Sequence, residues 1–268
     1  MTDTSPFKVE KKDHIARLTF NRPEKRNTMG FSFFSELVSL FKDFDQDPAV
    51  RAVVIKAEGP CFTAGLDLKE TASLFVKGDT AARENLRLKI LELQESMNVI
   101  ERCRKPVIAA AHSHCIGGGV DLLCACDIRF AAADTIFSIR ETRIAIIADL
   151  GTLQRLPTII GQGWFRELAL SGRDFTAREA LQMGFITRLC RDRQELYDKA
   201  LELAEQIADC APLTVQGVKD VINYSRDNGV YPGLAYVAQK NSAILLSEDL
   251  TEAMTAFMGK RKPLFQGK

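Results

Sequence analysis

The sequence predicts an α/β protein with a sheet core in its first part and a helical second part. Before residue 150, short apolar runs of strand type alternate with longer runs in which apolar residues recur every three or four positions. From residue 151 onward the helical period dominates. Strands that alternate with helices are typical of an α/β sheet core, and the later run adds a helical region to it.

The predicted strands begin with an N-terminal hairpin. Residues 15–20 alternate apolar and polar side chains, as in a half-buried strand, and residues 7–12 precede them across a turn at Asp13. Two near-continuous apolar runs, 51–57 and 106–111, have the composition of strands that are buried on both faces. Further strands are predicted at residues 127–132 and 135–139.

Helices are predicted wherever apolar residues keep the helical period. Thr176 and Glu179 have the spacing of a capping box, which predicts a helix start directly after Thr176. The other predicted helices cover residues 31–44, 81–102, 194–209, 213–226, 232–246 and 248–258.

Composition narrows the class of protein. The chain has 268 residues, 46% hydrophobic and 26% charged, with a net charge of +1. These values are ordinary for a globular protein and give no global electrostatic case for binding nucleic acid or an anionic membrane. No apolar stretch has the length of a membrane span. The seven cysteines form no CxxC pair and the N-terminus is polar, so we expect reduced thiols and a cytoplasmic protein without a signal peptide.

Two glycine-containing loops follow predicted buried strands, "FTAGLD" at residues 62–67 and "CIGGGVD" at residues 115–121. Glycine allows a backbone to approach a ligand closely, and N–H groups at a helix start lack intrahelical acceptors. One N–H from each loop would form an oxyanion hole. The alternative is that these glycines only turn the chain.

Several acids lie in apolar surroundings. Asp149 follows the apolar run 144–148, Glu141 lies eight residues before it, and Asp121 follows the triple glycine. A buried carboxylate must be paired, hydrogen-bonded or protonated. Two interpretations stay open at this point: a functional set of acids, or ion pairs with neighbouring arginines, namely Arg140, Arg143 or Arg155. For Asp67 and Asp127, capping or pairing with arginine is the favoured role.

Other kinds of site have weak support. His112, His114 and Cys115 lie close together, but no third ligand follows at a recognisable spacing, so no metal site is expected. The triple glycine matches neither the dinucleotide-binding fingerprint nor a P-loop. A serine nucleophile of the G-x-S-x-G type is also absent from the sequence.

Ordered motifs along the chain resemble one family. The chain is similar to the crotonase superfamily of enoyl-CoA hydratases and isomerases over essentially its full length, and within it most resembles Δ3,5-Δ2,4-dienoyl-CoA isomerases. The segment "GGGVDL", a later glutamate and then "ADLGTLQRLP" carry the likeness to this subgroup. The matching segments are residues 21–29, 62–68, 105–132, 151–161, 172–186 and 256–265.

The resemblance implies a crotonase-like spiral of ββα turns in residues 1–200, which holds the CoA and the active site. It implies a helical C-terminal region in residues 201–268 that mediates trimerisation, with a homotrimer or a hexamer as the assembly. An acyl-CoA thioester would be the substrate, with no cofactor beyond the CoA that is part of it. Nucleic-acid and membrane partners are not expected.

The resemblance also assigns residues. The oxyanion hole would be the N–H groups of Leu66 and Gly118. CoA would contact Lys25 and Arg26, whose competing interpretation is a solvated charged loop. The remaining two positions assigned to CoA are Ala64 and Asp67.

The catalytic assignment follows the same subgroup. Asp149 would take a proton from C2, Glu141 would give one to C6, and Asp121 would tune or orient one of them. Hydratases of the superfamily carry a glutamate where this chain has Asp121 and a glycine where it has Asp149. The chain also departs from the isomerase subgroup, which usually shows an acid and a glycine where Arg143 and Ala145 stand.

Two other functions remain alternatives. One is a 2-enoyl-CoA hydratase or a Δ3-Δ2-enoyl-CoA isomerase. The other is a non-catalytic member of the superfamily that binds acyl-CoA or RNA. Against RNA binding, the sequence shows no helix rich in arginine and lysine with interleaved aromatic residues.

Overall fold

A six-stranded sheet and a three-stranded sheet form the centre of the computed structural model, which describes residues 5–75 and 78–268. Residues 1–4, part of the N-terminus that we interpreted as lacking a signal peptide, lie outside the described residues. The large sheet has the order β1-β2-β3-β4-β6-β9, and the small sheet has the order β5-β7-β8. The strands are β1 (Phe7–Lys12), β2 (Ile15–Phe20), β3 (Ala52–Ala57), β4 (Val107–Ala111), β5 (His114–Ile116), β6 (Ile128–Ala132), β7 (Ile136–Ser138), β8 (Asp174–Thr176) and β9 (Arg188–Cys190).

The chain moves between the two sheets in repeated turns. It passes from β4 to β5 and then from β6 to β7, entering the small sheet each time. In the large sheet β1 pairs antiparallel with β2, as the predicted hairpin requires, and the other pairs are parallel. The predicted α/β spiral is confirmed.

Helices surround the sheets and dominate the second half of the chain. The predicted capping box is confirmed, because the Thr176 hydroxyl accepts the Glu179 N–H and the Glu179 carboxylate accepts the Thr176 N–H. Short 3₁₀ turns occur at Pro23–Lys25, Ala72–Phe75 and Glu141–Ile144. The helices are α1 (Phe31–Gln46), α2 (Thr80–Arg102), α3 (Gly118–Ala125), α4 (Thr152–Ile160), α5 (Gln162–Ser171), α6 (Ala177–Gln182), α7 (Arg193–Ala208), α8 (Pro212–Asn228), α9 (Val230–Ile244) and α10 (Glu248–Met258).

Two short strands in the second half were not predicted. Strands β8 and β9 have three residues each, which is too short for a period in the sequence to be recognised. Strand β2 also differs from its prediction as half-buried, since Ile15 is 0% and Thr19 is 4% exposed. Its second face is covered because α7 packs across that side of the sheet.

Helix α7 belongs to the sheet layer. Its residues Leu196, Ala200 and Ala204 pack with Val54 and Ile108 of the large sheet. The boundary expected between residues 200 and 201 therefore falls inside a helix that packs on the sheet along its whole length. The next helix, α8, begins at Pro212 and packs mainly against α9.

A partly buried ion pair, with Lys219 buried and the Asp127 side chain 25% exposed, fastens α8 to the sheet. The Lys219 ammonium donates to the Asp127 carboxylate at 2.7 Å and to the Lys105 carbonyl at 3.2 Å. Asp127 also accepts the Val107 N–H at 2.7 Å, at the start of β4. Pairing was expected for Asp127, but its partner is a lysine from a distant helix rather than an arginine. Burial raises the pKa of Asp127 despite this cation.

Removing the lysine should destabilise the protein strongly. Lys219→Ala leaves the partly exposed Asp127 carboxylate without its cation and removes a buried side chain, which should cost about 2 kcal/mol of the free energy of unfolding. The matched control is Lys199→Ala, which removes an exposed pair with Glu202 and should cost at most about 1 kcal/mol. Urea unfolding of both variants checks this, and equal midpoints for the two would contradict it.

Candidate active site

The two glycine loops lie side by side. The Thr63 N–H donates to the His114 carbonyl at 3.0 Å, and the Ile116 N–H donates to the Thr63 carbonyl at 3.2 Å. Gly65 has φ +88°, and a Cβ there would lie 2.7 Å from the Ile116 carbonyl oxygen. This close approach of two backbones requires glycine, so the loops do more than turn the chain.

The contact leaves two backbone donors at one pocket. Leu66 follows Gly65, and Gly118 is the first residue of α3. Neither N–H has a backbone acceptor within the described residues. Both residues line a pocket of about 170 Å³. Free N–H groups beside a small pocket are suited to binding an oxygen that gains negative charge.

Three acids line the same pocket. Asp121 projects from the first turn of α3, Glu141 begins a 3₁₀ turn, and Asp149 lies shortly before α4. Asp121 is 1% exposed, whereas the other two are half-buried. The acids and the two donors that the sequence singled out are therefore brought together by the fold.

Each acid has a different hydrogen-bonding environment. The Asp121 carboxylate accepts the Thr152 N–H at 2.7 Å. The Asp149 backbone carbonyl accepts the Gln94 side-chain amide at 2.7 Å. Glu141 Oε2 is buried and has no hydrogen-bond partner among the described residues. Buried polar atoms are rarely left without a hydrogen-bond partner, so water or a ligand in the pocket is the expected partner of this oxygen.

The alternative of ion pairs with neighbouring arginines is wrong. Within the described residues no arginine pairs with Glu141 or Asp149, so these acids face the pocket without a bound cation. Each candidate arginine is engaged elsewhere: Arg140 pairs with Asp174, Arg155 pairs with Glu101, and the Arg143 guanidinium donates to the Ser171 carbonyl.

The pocket raises the pKa of all three acids. Burial, with the charges of Asp121 and Asp149 nearby, raises the pKa of Glu141 to about 7. Burial also raises the pKa of Asp121 to about 6, against the opposing effect of its bonds to Thr152. The pKa of Asp149 is raised by burial as well. The three carboxyl groups can therefore hold a proton near neutral pH while another of them is ionised.

Only part of the apolar run at residues 144–148, directly before Asp149, lines the pocket. Ile144 and Ile146 line the pocket, but Ile147 is 76% exposed. The run is not a strand, because it follows the 3₁₀ turn and Ala145 adopts a left-handed conformation with φ +59°. This conformation favours glycine.

A second pocket, of about 560 Å³, adjoins the first and shares Ala64, Ile116 and Arg140 with it. Arg26 lines this second pocket. Lys25 is exposed in the neighbouring 3₁₀ turn. Three of the four residues expected to contact CoA thus lie in or beside a pocket that continues from the acids.

Asp67, the fourth, is engaged within its own loop. Its carboxylate accepts the Thr28 hydroxyl at 3.0 Å and the Lys69 and Glu70 N–H groups at 3.2 and 3.1 Å. These bonds lower its pKa, although burial opposes them. They favour the capping role, in which Asp67 shapes the loop that carries Leu66, and contact with CoA stays a prediction.

The histidine cluster has structural partners. The His112 ring bonds to the Gly59 carbonyl at 3.2 Å and the Tyr197 hydroxyl at 3.1 Å. No group of three potential metal ligands occurs in the part of the chain that the structure describes. Within that part, no helix is long and apolar enough to cross a membrane.

Two residues of the site were missed in the sequence. Gln94 holds the backbone at Asp149, and Arg140 lies between the two pockets. Gln94 was detectable in principle, because it is a polar residue beside the apolar stripe of α2. The sequence indicated Arg140 only as a possible ion-pair partner of the acids, and nothing in it places this residue between two pockets.

Comparison with known proteins agrees with this geometry. A family model described as enoyl-CoA hydratase/isomerase matches residues 10–268. The chain belongs to this family. A peroxisomal Δ3,5-Δ2,4-dienoyl-CoA isomerase of Arabidopsis thaliana is 43% identical over 94% of this chain and 92% of its own length. A mitochondrial Δ3,5-Δ2,4-dienoyl-CoA isomerase of Homo sapiens is 46% identical over 91% of this chain and 76% of its own length.

A solved structure shares the fold of this family member. An enoyl-CoA hydratase from Bacillus anthracis superimposes with a TM-score of 0.91 at 30% identity, covering 98% of this chain and all of its own. The relatives also correct one expectation. They are named as peroxisomal and mitochondrial proteins, so the inference of a cytoplasmic location from the polar N-terminus is wrong.

The raised pKa of Glu141 should appear in the pH dependence of stability. Between the ordinary pKa of 4.5 and the raised value of about 7, the folded protein keeps a proton that the unfolded chain loses. Stability therefore falls as the pH rises through this window, by up to about 3 kcal/mol. Glu141→Gln lacks this loss, so its free energy of unfolding relative to the wild type should increase from pH 4.5 to pH 8.

Urea unfolding across this pH range measures the difference. Glu58→Gln, at an exposed position, is the matched control and should follow the wild type at every pH. A constant offset between Glu141→Gln and the wild type would show that the pKa of Glu141 is not raised.

Proposed function

We propose that this protein is a Δ3,5-Δ2,4-dienoyl-CoA isomerase. The observation that carries the proposal is the set of three acids with raised pKa values around a pocket that also holds two free backbone N–H groups. The relatives of this name, which match more than nine-tenths of the chain, support it.

The reaction begins at the thioester. The N–H groups of Leu66 and Gly118 bind the carbonyl oxygen and stabilise the negative charge that develops on it. Asp149 takes a proton from C2, which the thioester makes acidic. The electron pair of the C2–H bond enters the conjugated chain and forms a dienolate.

The reaction ends at the other end of the diene. Glu141 donates a proton to C6, and the double bonds move from positions 3 and 5 to positions 2 and 4. Because C2 and C6 are four bonds apart, two carboxyl groups serve the two positions better than one. A pKa of about 7 leaves about half of Glu141 protonated at neutral pH, and this fraction can act as a general acid.

Asp121, the third acid, exchanges no proton with the substrate in this proposal. It is buried beside the other two acids, and its charge raises the pKa of Glu141. Since it is a methylene shorter than the glutamate of the hydratases, it fits a water-binding role poorly. Its proposed role is therefore to keep Glu141 protonated.

CoA would lie along the second pocket. The Arg26 guanidinium lines this pocket and Lys25 lies beside it, so both are placed to meet phosphate groups. The chemistry consists of two proton transfers and needs no cofactor beyond the CoA of the substrate.

Substitution of the two reacting acids tests the proposal. Wild-type protein with 3,5-octadienoyl-CoA should produce the ultraviolet absorbance of a 2,4-diene. Asp149→Asn and Glu141→Gln should each reduce that rate by a factor of about 10² to 10⁴ while CoA binding persists. The matched control, Asp198→Asn on the exposed face of α7, should react as the wild type does. No absorbance rise from the folded wild type would overturn the proposal, and faster hydration of crotonyl-CoA would identify a hydratase.

We also propose that the chain assembles as a homotrimer or a hexamer. Large apolar side chains of the C-terminal helices are exposed in the single chain, which is typical of a surface that another subunit covers. Those on α8, α9 and α10 include Ile222 (61% exposed), Tyr231 (85%), Leu234 (59%), Met254 (61%) and Phe257 (85%).

Sedimentation velocity should give three or six times the mass of one chain. Placing a charge in an apolar interface disrupts it, so Phe257→Glu should release smaller species. The control Glu167→Gln on α5 should leave the assembly unchanged. A monomeric wild type at micromolar concentration would contradict the proposal.

A further inference from the structure

Asp149 lies on the wall between two cavities. One is the pocket that it shares with Glu141 and Asp121, and the other is a cavity of about 400 Å³. Within the described residues, neither Glu141 nor Asp121 lines this second cavity. Of the three acids, Asp149 alone borders both spaces within the described residues.

The second cavity, here called the rear cavity, has a polar lining. Glu101 accepts hydrogen bonds from Arg155 at 2.9 Å and from Arg226 at 2.6 Å, and Asn98 accepts one from Arg155 at 2.8 Å. The remaining lining residues include Gln94, Gln154, Thr158 and Asp227. A cavity of this volume with several polar partners is large enough for several water molecules.

One lining group needs a water partner. Arg155 Nε is buried and has no acceptor among the described residues. Buried donors are rarely left without an acceptor, and water within the rear cavity would supply one. Volume, polar lining and this donor all indicate that the cavity is wet.

After the proposed reaction, two acids of the enzyme differ from their starting protonation states. A C2–H bond breaks and a C6–H bond forms, so the substrate keeps its proton count. On the enzyme, one proton has left Glu141 and one has arrived on Asp149. Asp149 must lose its proton, and Glu141 must regain one, before the next turnover.

We infer that the rear cavity is the route by which Asp149 passes its proton to solvent, while the substrate pocket is filled by ligand. Glu141 takes its proton from water that enters the substrate pocket after the product leaves. The inference rests on the proposed function and adds a separate path for the proton removed from C2.

Exchange at C2 during catalysis tests this route. In D₂O, Asp149 that has taken a proton from C2 can exchange it through the rear cavity before the dienolate returns to substrate. Unreacted 3,5-octadienoyl-CoA, recovered at half conversion, should then carry deuterium at C2 above the level of a sample without enzyme. Mass spectrometry measures this exchange, and the diene absorbance measures turnover in the same reaction.

Apolar substitutions in the rear cavity should suppress the exchange. Asn98→Leu with Gln154→Leu removes two polar lining groups and leaves the bond from Gln94 to Asp149 intact. The ratio of exchange to turnover should fall about ten-fold or more. This is less than the effect of removing a general acid or base itself, which is about 10²- to 10⁴-fold. Turnover at saturating substrate should also fall, while KM changes less than about two-fold.

Matched controls separate this effect from general damage. Asn85→Leu with Gln206→Leu makes the same chemical changes at exposed positions of α2 and α7 and should keep the wild-type ratio. Gln154→Leu alone, at an exposed position on the cavity rim, keeps the test usable if the double variant does not fold. It should lower the ratio in the same direction.

The outcomes distinguish the inference from the proposed function. Normal turnover without C2 exchange in the wild type, or an unchanged ratio in the cavity variants, would overturn the inference alone. Absence of both conversion and exchange would overturn the proposed function and the inference with it.

Discussion

The close approach of two glycine loops is the constraint on which the site depends. Gly65 lies against the Ile116 carbonyl, where a side chain would collide with backbone. Backbone hydrogen bonds between Thr63 and residues 114 and 116 hold the loops in register. This contact places the donors of Leu66 and Gly118 at one pocket, and α3 carries Asp121 into the same place. A shift of either loop would separate these two backbone donors from the acids.

The second requirement is a pocket in which one acid can hold a proton near neutral pH while another is ionised. The fold meets it by burying Asp121 beside Glu141, so that desolvation and mutual repulsion act in the same direction. The nearby arginines bond to other partners, and the charge of Arg155 opposes the effect at Asp121 without cancelling it. The stability lost by holding charge in such a pocket is the physical cost of carboxyl groups with raised pKa values.

The arginines that do not neutralise the acids have a different role. Arg155 and Arg226 converge on Glu101 and join α2, α4 and α8 behind Asp149. Their side chains line the rear cavity, so Asp149 lies between a pocket with a mainly apolar lining and a cavity with a polar lining. Lys219 anchors the same helix, α8, to the sheet through Asp127. One group of charged residues thus both lines the rear cavity and fastens α8 to the rest of the fold.

The sequence by itself determined the longer helices and strands, the capping box at Thr176 and the two glycine loops, because periodicity and backbone preference are local properties. Only the tertiary structure decided the short strands β8 and β9, the cover of α7 over β2, and the lysine partner of Asp127. It also decided that Arg140, Arg143 and Arg155 bond to partners other than the acids, and that Gln94 holds the backbone at Asp149. These pairings join residues far apart in the chain, and their distances depend on packing that no local pattern encodes.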